Sequence, residues 1–156
     1  METNYLLPHK YKNFGWALFI LGLLAGIVLI FSDYEVDALN INVISIYSEP
    51  FMNNDNGYFK IIENSIVDEI IALFIIIGGL LVGFSKEKVE DEFIYKLRKD
   101  SLVWAIIFNY AVLMLAIAFV YEFTFFHVLV FNMFTPLLFF VFRFNFLKYR
   151  SISNEE

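Results

Sequence analysis

Four long apolar runs, separated by polar segments, dominate the hydrophobic pattern of this chain. About 20 apolar residues are needed to cross the hydrocarbon of a bilayer as a helix, and each run is close to that length. The runs are continuous rather than alternating, so helices are favoured over barrel strands. The predicted spans are residues 14–31, 66–84, 102–121 and 125–142. The sequence therefore predicts an all-α membrane protein, with four transmembrane helices in an antiparallel bundle and a single domain over residues 1–156.

Composition agrees with this class and narrows the chemistry. Hydrophobic residues make up 60% of the chain, and the mean hydropathy of +0.67 is too high for a soluble domain. Cysteine is absent, which excludes disulfides, thiol redox chemistry and cysteine-ligated metals. The runs also lack the deep charges of proton-coupled transporters, and no catalytic pair is evident beside them. We expect no catalytic residue, no cofactor and no metal.

Basic residues are distributed unevenly between the two sides of the predicted bundle. Ten of the eleven Lys and Arg residues lie before the first span, between the second and third spans, or after the fourth, and Lys60 alone lies between the first and second. The positive-inside rule then places both termini in the cytoplasm. The first run is longer than the core of a signal peptide and lacks a small-residue cleavage site, so it is expected to remain as an anchor. We predict a multi-pass protein of the cytoplasmic membrane.

The predicted outer loop, residues 32–65, has the pattern of a small β-hairpin. Residues 39–47 are β-branched and partly alternating, and residues 58–62 could pair with them across the turn-rich stretch 53–57. An alternative is a calcium loop, because several residues fall at EF-hand ligand positions. These residues are Asn54, Asn56, Gly57 and Glu63. The first position is Met52, which cannot bind Ca²⁺, so a plain turn is favoured.

Two GxxxG patterns suggest how the helices pack. Gly22 and Gly26 form one and Gly79 and Gly83 form the other, and such pairs let helix backbones approach closely. Gly22 and Gly79 fall at similar predicted depths. We expect the first two helices to pack at these glycines, with a homodimer seam as the alternative.

Polar residues within the third and fourth spans are candidates for an intramembrane site. Polar groups in lipid are costly, so each is a functional candidate by default. They are Asn109, Tyr110, His127, Asn132 and Thr135. The alternative for Asn109 and Asn132 is interhelical hydrogen bonding, and we predict that they approach each other or share a water. For His127 an interfacial histidine is favoured over a metal or haem ligand, because no second histidine lies in the membrane.

The segment between the second and third spans, residues 85–101, is predicted to be a cytoplasmic amphipathic helix. Ser85 is placed as its N-cap, and the apolar residues share one arc of a helix. The candidate docking residues on and beside this stripe are Val89, Glu90, Asp91, Phe93 and Leu97. Either the stripe packs against the bundle or headgroups, or it docks a cytoplasmic protein. Acids and bases cancel within the segment, so direct nucleic-acid binding is not expected.

Several strings in the second half of the chain resemble a family of uncharacterised small four-span bacterial membrane proteins. The resemblance covers roughly residues 66–150. It rests on residues 84–92, Leu97-Arg98, 101–105, Asn109-Tyr110, 131–136 and Arg143-Phe144-Asn145. The resemblance implies no established activity, and it implies a soluble partner, because some members are encoded beside small helix-turn-helix regulators.

Together these features favour a non-enzymatic integral membrane protein. We expect a sensor, anchor or regulatory partner of a cytoplasmic protein, embedded in the lipid bilayer. The alternative is a small channel or transporter whose polar path is lined by Asn109, Tyr110, Asn132 and Thr135.

Overall fold

The computed structural model describes residues 5–32, 40–48 and 57–153, and these form four helices and one two-stranded sheet. All four helices are long and apolar enough to cross a membrane, as predicted. The elements are α1 Lys10–Phe31, β1 Asn40–Ser48, β2 Gly57–Ser65, α2 Val67–Phe84, α3 Glu92–Phe119 and α4 Glu122–Ser153. Three of the helices extend beyond the predicted spans, because their polar end residues continue the helix past the apolar run.

Three glycines bring the backbones of α1 and α2 into close contact. A Cβ atom added to Gly15 would lie 3.2 Å from the Gly78 carbonyl oxygen, and one added to Gly78 would lie 2.5 Å from the Phe19 nitrogen. One added to Gly22 would lie 2.9 Å from the Ile75 nitrogen. A real Cβ atom would not fit at 2.5 or 2.9 Å, and at 3.2 Å the neighbouring backbone would have to move, so glycine permits this approach. The predicted role of Gly22 in the α1–α2 contact is confirmed.

The second GxxxG pair faces a different helix from the one predicted. A Cβ atom on Gly79 would lie 2.7 Å from the Leu137 Cδ2 atom, and one on Gly83 would clash with the Phe140 ring. Gly79 and Gly83 therefore accept side chains of α4, and the neighbouring Gly78 makes the α1–α2 contact instead. Gly22 itself faces Ile75, one helical turn from Gly79. Neighbouring residues of a helix point about 100° apart, so Gly78 and Gly79 face different helices.

The buried core joins the α1–α2 pair to the α3–α4 pair. It lies towards the end of the helices at which residues 84–92 are found, and this end is here called the basic end. Its buried members are Phe19, Ile75, Val82, Ala105, Phe140, Val141 and Phe144. The α3 and α4 helices run in opposite directions, since Phe108 stacks on Phe139 with ring centroids 4.5 Å apart and Ser101 contacts Arg143.

The predicted helix over residues 85–101 is wrong in its first part. Residues 85–91 are not helical, and Ser85 has an extended backbone and is buried. The N-cap is Asp91, whose carboxylate accepts a hydrogen bond of 2.7 Å from the Ile94 nitrogen. From Glu92 the helix runs without a break into the third apolar span, so the amphipathic part is the beginning of α3. The tertiary contacts of residues 85–90 override their helical pattern.

The predicted β-hairpin is confirmed. Strands β1 and β2 pair antiparallel, with Asn40 opposite Ser65, Val43 opposite Ile62, and Tyr47 opposite Tyr58. The turn itself lies outside the described residues, as do Met52, Asn54 and Asn56 of the calcium-loop alternative. Glu63, the last position of that loop, lies in β2 opposite Asn42.

Candidate functional site

A buried cluster of charged side chains, here called the charged cluster, lies at the basic end. It consists of Lys12, Glu87, Glu90, Arg98 and Lys148. Glu87 pairs with Lys12, and its Oε1 also accepts a hydrogen bond of 3.1 Å from Lys148. Lys12 and Arg98 are only 5% and 3% exposed, so these pairs lie mostly out of water. The cluster joins α1, the segment after α2, α3 and α4.

The N-terminal segment holds the acidic part of this cluster in place. The Leu7 nitrogen donates to the Phe84 carbonyl and the Lys86 nitrogen donates to the Leu7 carbonyl, both at 2.9 Å. His9 Nδ1 donates to the Lys86 carbonyl at 2.8 Å. These three bonds fix the chain directly before Glu87, which places its carboxylate beside Lys12 on the first helical turns of α1.

Arg98 makes the second ion pair of the cluster. Its Nη1 and Nη2 donate to the two carboxylate oxygens of Glu90 at 2.5 and 3.1 Å, a bidentate arrangement. Glu90 also accepts a hydrogen bond of 2.9 Å from the Glu87 nitrogen. Two acidic residues of one short segment thus hold cations from three helices.

An aromatic ring of α4 completes the packing around these cations. The Phe144 ring is fully buried, with the Lys12 Nζ atom 5.7 Å and the Arg98 Cζ atom 5.1 Å from its centroid. The electron-rich ring face attracts both charges in a site with little water. Beside it, Asn145 donates to the Val141 carbonyl at 2.7 Å.

The electrostatics of Glu87 follow from two opposing effects. Burial by itself would raise the pKa of its carboxyl group. The hydrogen bond and charge of Lys12, with those of Lys148, outweigh burial and leave the pKa of Glu87 below its usual value. The carboxylate is therefore charged at neutral pH, and the cluster needs it in that form.

The charged cluster is bordered by a further cation. Arg143 donates to the buried Ser101 hydroxyl at 2.9 Å and lies 5.8 Å from the Trp104 ring centroid. Two buried polar atoms nearby, Ser85 Oγ and Arg98 Nε, have no hydrogen-bond partner among the described residues. Both carboxylates of the cluster therefore have cationic partners, whereas some of its hydrogen-bond donors have no acceptor among the described residues.

The structure divides the predicted docking residues into two groups. Val89 and Phe93 are exposed, at 73% and 51%. Leu97 packs against the core. Glu90 pairs with the Arg98 guanidinium, and Asp91 accepts a hydrogen bond from the Ile94 nitrogen, so both also hold the local structure. Their part in docking stays a prediction. The pattern of the sequence could not reveal the ion pair, because Arg98 lies eight residues from Glu90.

The predicted intramembrane polar residues have separate environments. Asn109 Oδ1 and Asn132 Nδ2 are buried and have no hydrogen-bond partner among the described residues, so the two amides do not bond through these atoms. Their sharing of a water stays a prediction. Thr135 donates to the Phe131 carbonyl at 3.3 Å within α4, and Tyr110 and His127 are exposed.

A cavity of about 500 Å³, here called the apolar cleft, lies between the α1–α2 pair and α4. Its walls are almost entirely hydrophobic. Of the predicted intramembrane polar residues, Thr135 lines the cleft. Asp68 and Glu69, on the first turn of α2, line the end nearest the hairpin. The helix pairs touch near the basic end, where Gly79 meets Leu137, and the cleft lies towards the other end. Nothing in the hydropathy pattern indicates such a separation.

No family model, curated protein or solved structure matches this chain. Among the described residues, no group of three or more His, Asp or Glu side chains could hold a metal ion. The described residues form four apolar helices that are joined at one end by ion pairs, with a cleft between α4 and the α1–α2 pair towards the other end.

Proposed function

We propose that this protein is a non-enzymatic multi-pass protein of a bacterial cytoplasmic membrane, with its basic end and both termini in the cytoplasm. Four apolar helices support the membrane placement. The distribution of Lys and Arg, ten of eleven on one side, supports the orientation. The family resemblance of residues 66–150 belongs to this proposal and stays a prediction.

The basic end acts in this proposal as a sensor, anchor or regulatory platform for a cytoplasmic protein. The observation that carries it is the contrast between Val89 and Phe93, which are exposed, and the buried ion pairs directly beside them. Ion pairs that join four chain segments hold the surface around these apolar side chains in one shape. A rigid surface with exposed aromatic and aliphatic groups is suited to protein recognition, because little entropy is lost on binding.

Site-specific photo-crosslinking tests this function. Phe93 is replaced by p-benzoylphenylalanine, and Phe126, which is 64% exposed near the start of α4, is replaced in a matched control. We expect one discrete adduct with a soluble protein from position 93 and none from position 126. Adducts of the same pattern from both positions, or none from position 93 in native cells, would contradict the proposal.

A second variant separates docking from stability. Val89→Ser removes an exposed apolar group, and exposed substitutions usually change the free energy of unfolding by less than about 0.5 kcal/mol. The adduct from position 93 should disappear in this variant while the melting temperature is retained. Exposed charges for the same comparison are Lys88 and Glu92, whereas Glu90 and Asp91 are unsuitable because they hold the fold.

The channel or transporter alternative has no specific observation in its favour. Thr135 lines the apolar cleft, but Asn109, Tyr110 and Asn132 are not among its lining residues. It stays a prediction from the polar composition of α3 and α4.

A further inference from the structure

We propose that the apolar cleft binds a hydrophobic cation, with its positive group beside Asp68 and Glu69. This inference goes beyond the proposed function, since it concerns a ligand and the opposite end of the molecule. At about 500 Å³ the cavity falls within the range of small-molecule sites, roughly 300–1,000 Å³.

The walls of the cleft are suited to an apolar body. They are formed by the second half of α1, the first half of α2 and the middle of α4. Leu23, Ile75 and Leu138 lie towards the core, and Leu23 and Leu138 pack against it. A ligand with several rings or a branched chain would fill the cleft and pack closely against side chains of all three helices.

The mouth of the cleft carries two negative charges. Neither Asp68 nor Glu69 forms an ion pair with a Lys or Arg among the described residues. Glu69 accepts a hydrogen bond of 2.8 Å from Asn64, which leaves its charge uncompensated and links the hairpin to the mouth. The N-terminus of a helix favours carboxylates. This preference explains why Asp68 and Glu69 lie on the first turn of α2. It does not explain why they border a cavity.

The charge at the mouth decides between a cation and a membrane lipid as occupant. An acyl chain would fit the walls equally well, but the phosphate of a lipid headgroup would be brought towards two carboxylates. A cation of the same apolar character gains attraction there, and charges near a low-dielectric surface interact more strongly than in water. Asp68 and Glu69 are exposed, so the cation keeps partial access to water while its body is buried.

Two probe ions of the same shape and opposite charge test this proposal. The full-length protein in a nonionic detergent is titrated with tetraphenylphosphonium and, separately, with tetraphenylborate, and binding is measured by equilibrium dialysis. We expect saturable binding of the phosphonium at one site per chain and at least tenfold weaker binding of the borate. Equal binding of both ions would overturn the proposal, because it would show that Asp68 and Glu69 do not select a positive charge.

Substitutions locate the binding in the cleft. The double variant Asp68→Asn, Glu69→Gln keeps the shape of both side chains and should weaken phosphonium binding at least tenfold. Glu63→Gln removes an exposed carboxylate of β2 and serves as the matched control, with binding unchanged. Ala72→Phe, which adds a ring to the wall, should remove binding altogether. Wild-type binding in the double variant would contradict the assignment, and this result does not depend on whether Ala72→Phe folds.

The outcome is distinguishable from that of the docking proposal. Phosphonium binding is measured on purified protein without any partner, and the photo-adduct at position 93 is measured in cells without any added cation. Either can fail while the other succeeds.

Discussion

Two lysines from distant parts of the chain, Lys12 and Lys148, share the carboxylate of Glu87. Taking charges out of water is costly, and their mutual attraction offsets that cost only while all partners are present. Removal of the single carboxylate therefore leaves two mostly buried ammonium groups without compensation. At the scale of residues, the stability of the basic end therefore depends on Glu87.

Glu87→Gln should lower the free energy of unfolding by about 3 kcal/mol or more, the usual result of breaking a buried ion pair from one side. Thermal denaturation in a nonionic detergent measures the change. Glu92→Gln, an exposed acid in the first turn of α3, is the matched control and should shift the melting temperature little. Equal melting temperatures for the two variants would show that the pairs at Glu87 contribute nothing.

The same carboxylate predicts a pH dependence. Because the pKa of folded Glu87 is lowered, its contribution to stability is complete above the pKa of unfolded glutamate, about 4.3. The contribution is lost as the pH falls from there through the lower pKa of the folded protein. The melting temperature of the wild type should therefore fall more steeply than that of Glu87→Gln in acid. Parallel curves would contradict the assignment.

Asn132 should behave in the opposite way to Glu87. Its buried Nδ2 atom has no partner among the described residues, and an unsatisfied buried polar group costs about 1–3 kcal/mol. Asn132→Leu should therefore retain or raise the melting temperature. A large loss of stability would show that the amide has a partner, such as a water shared with Asn109.

At the scale of elements, α1 and α2 form the closest helix pair, and their glycines give a matched test. Gly78→Ala would place a Cβ atom 2.5 Å from the Phe19 nitrogen, so the helices must separate. Gly26→Ala would place its Cβ atom 3.5 Å from Ile71 Cγ2, which is ordinary contact. We expect a clear loss of thermal stability for the first variant and little change for the second. Comparable effects would show that the helices do not approach as described.

The sequence predicts the helices and strands well, but it does not predict which of them pack against each other. Continuous apolar runs indicate the four helices, and alternating β-branched residues indicate the hairpin, because both signals are local. The segment 85–91 was predicted as helix because its spacing is helical. Its conformation is decided instead by Leu7, Lys12 and Lys148, which are distant in sequence. For the same reason the ion pair between Glu90 and Arg98 was not predicted.

At the scale of the whole molecule, the two ends of the helices differ in kind. The basic end is closed by ion pairs and a buried aromatic core, while the end beside the hairpin contains a cleft with two carboxylates at its mouth. A recurring question for such a molecule is whether its ends communicate. The α2 helix begins at Val67 beside the cleft and ends at Phe84, directly before the segment that carries Glu87 and Glu90. A ligand that moved α2 would therefore affect both ends of the molecule.

The central claim is that the hairpin and the basic end lie on opposite sides of a membrane, and cysteine labelling tests it most directly. The chain has no native cysteine, so Tyr58→Cys in β2 and Lys88→Cys before α3 each provide a single exposed thiol. An impermeant maleimide applied to intact cells should label position 58 at once and position 88 only after the membrane is permeabilised. Labelling of both positions from the same side would contradict the account.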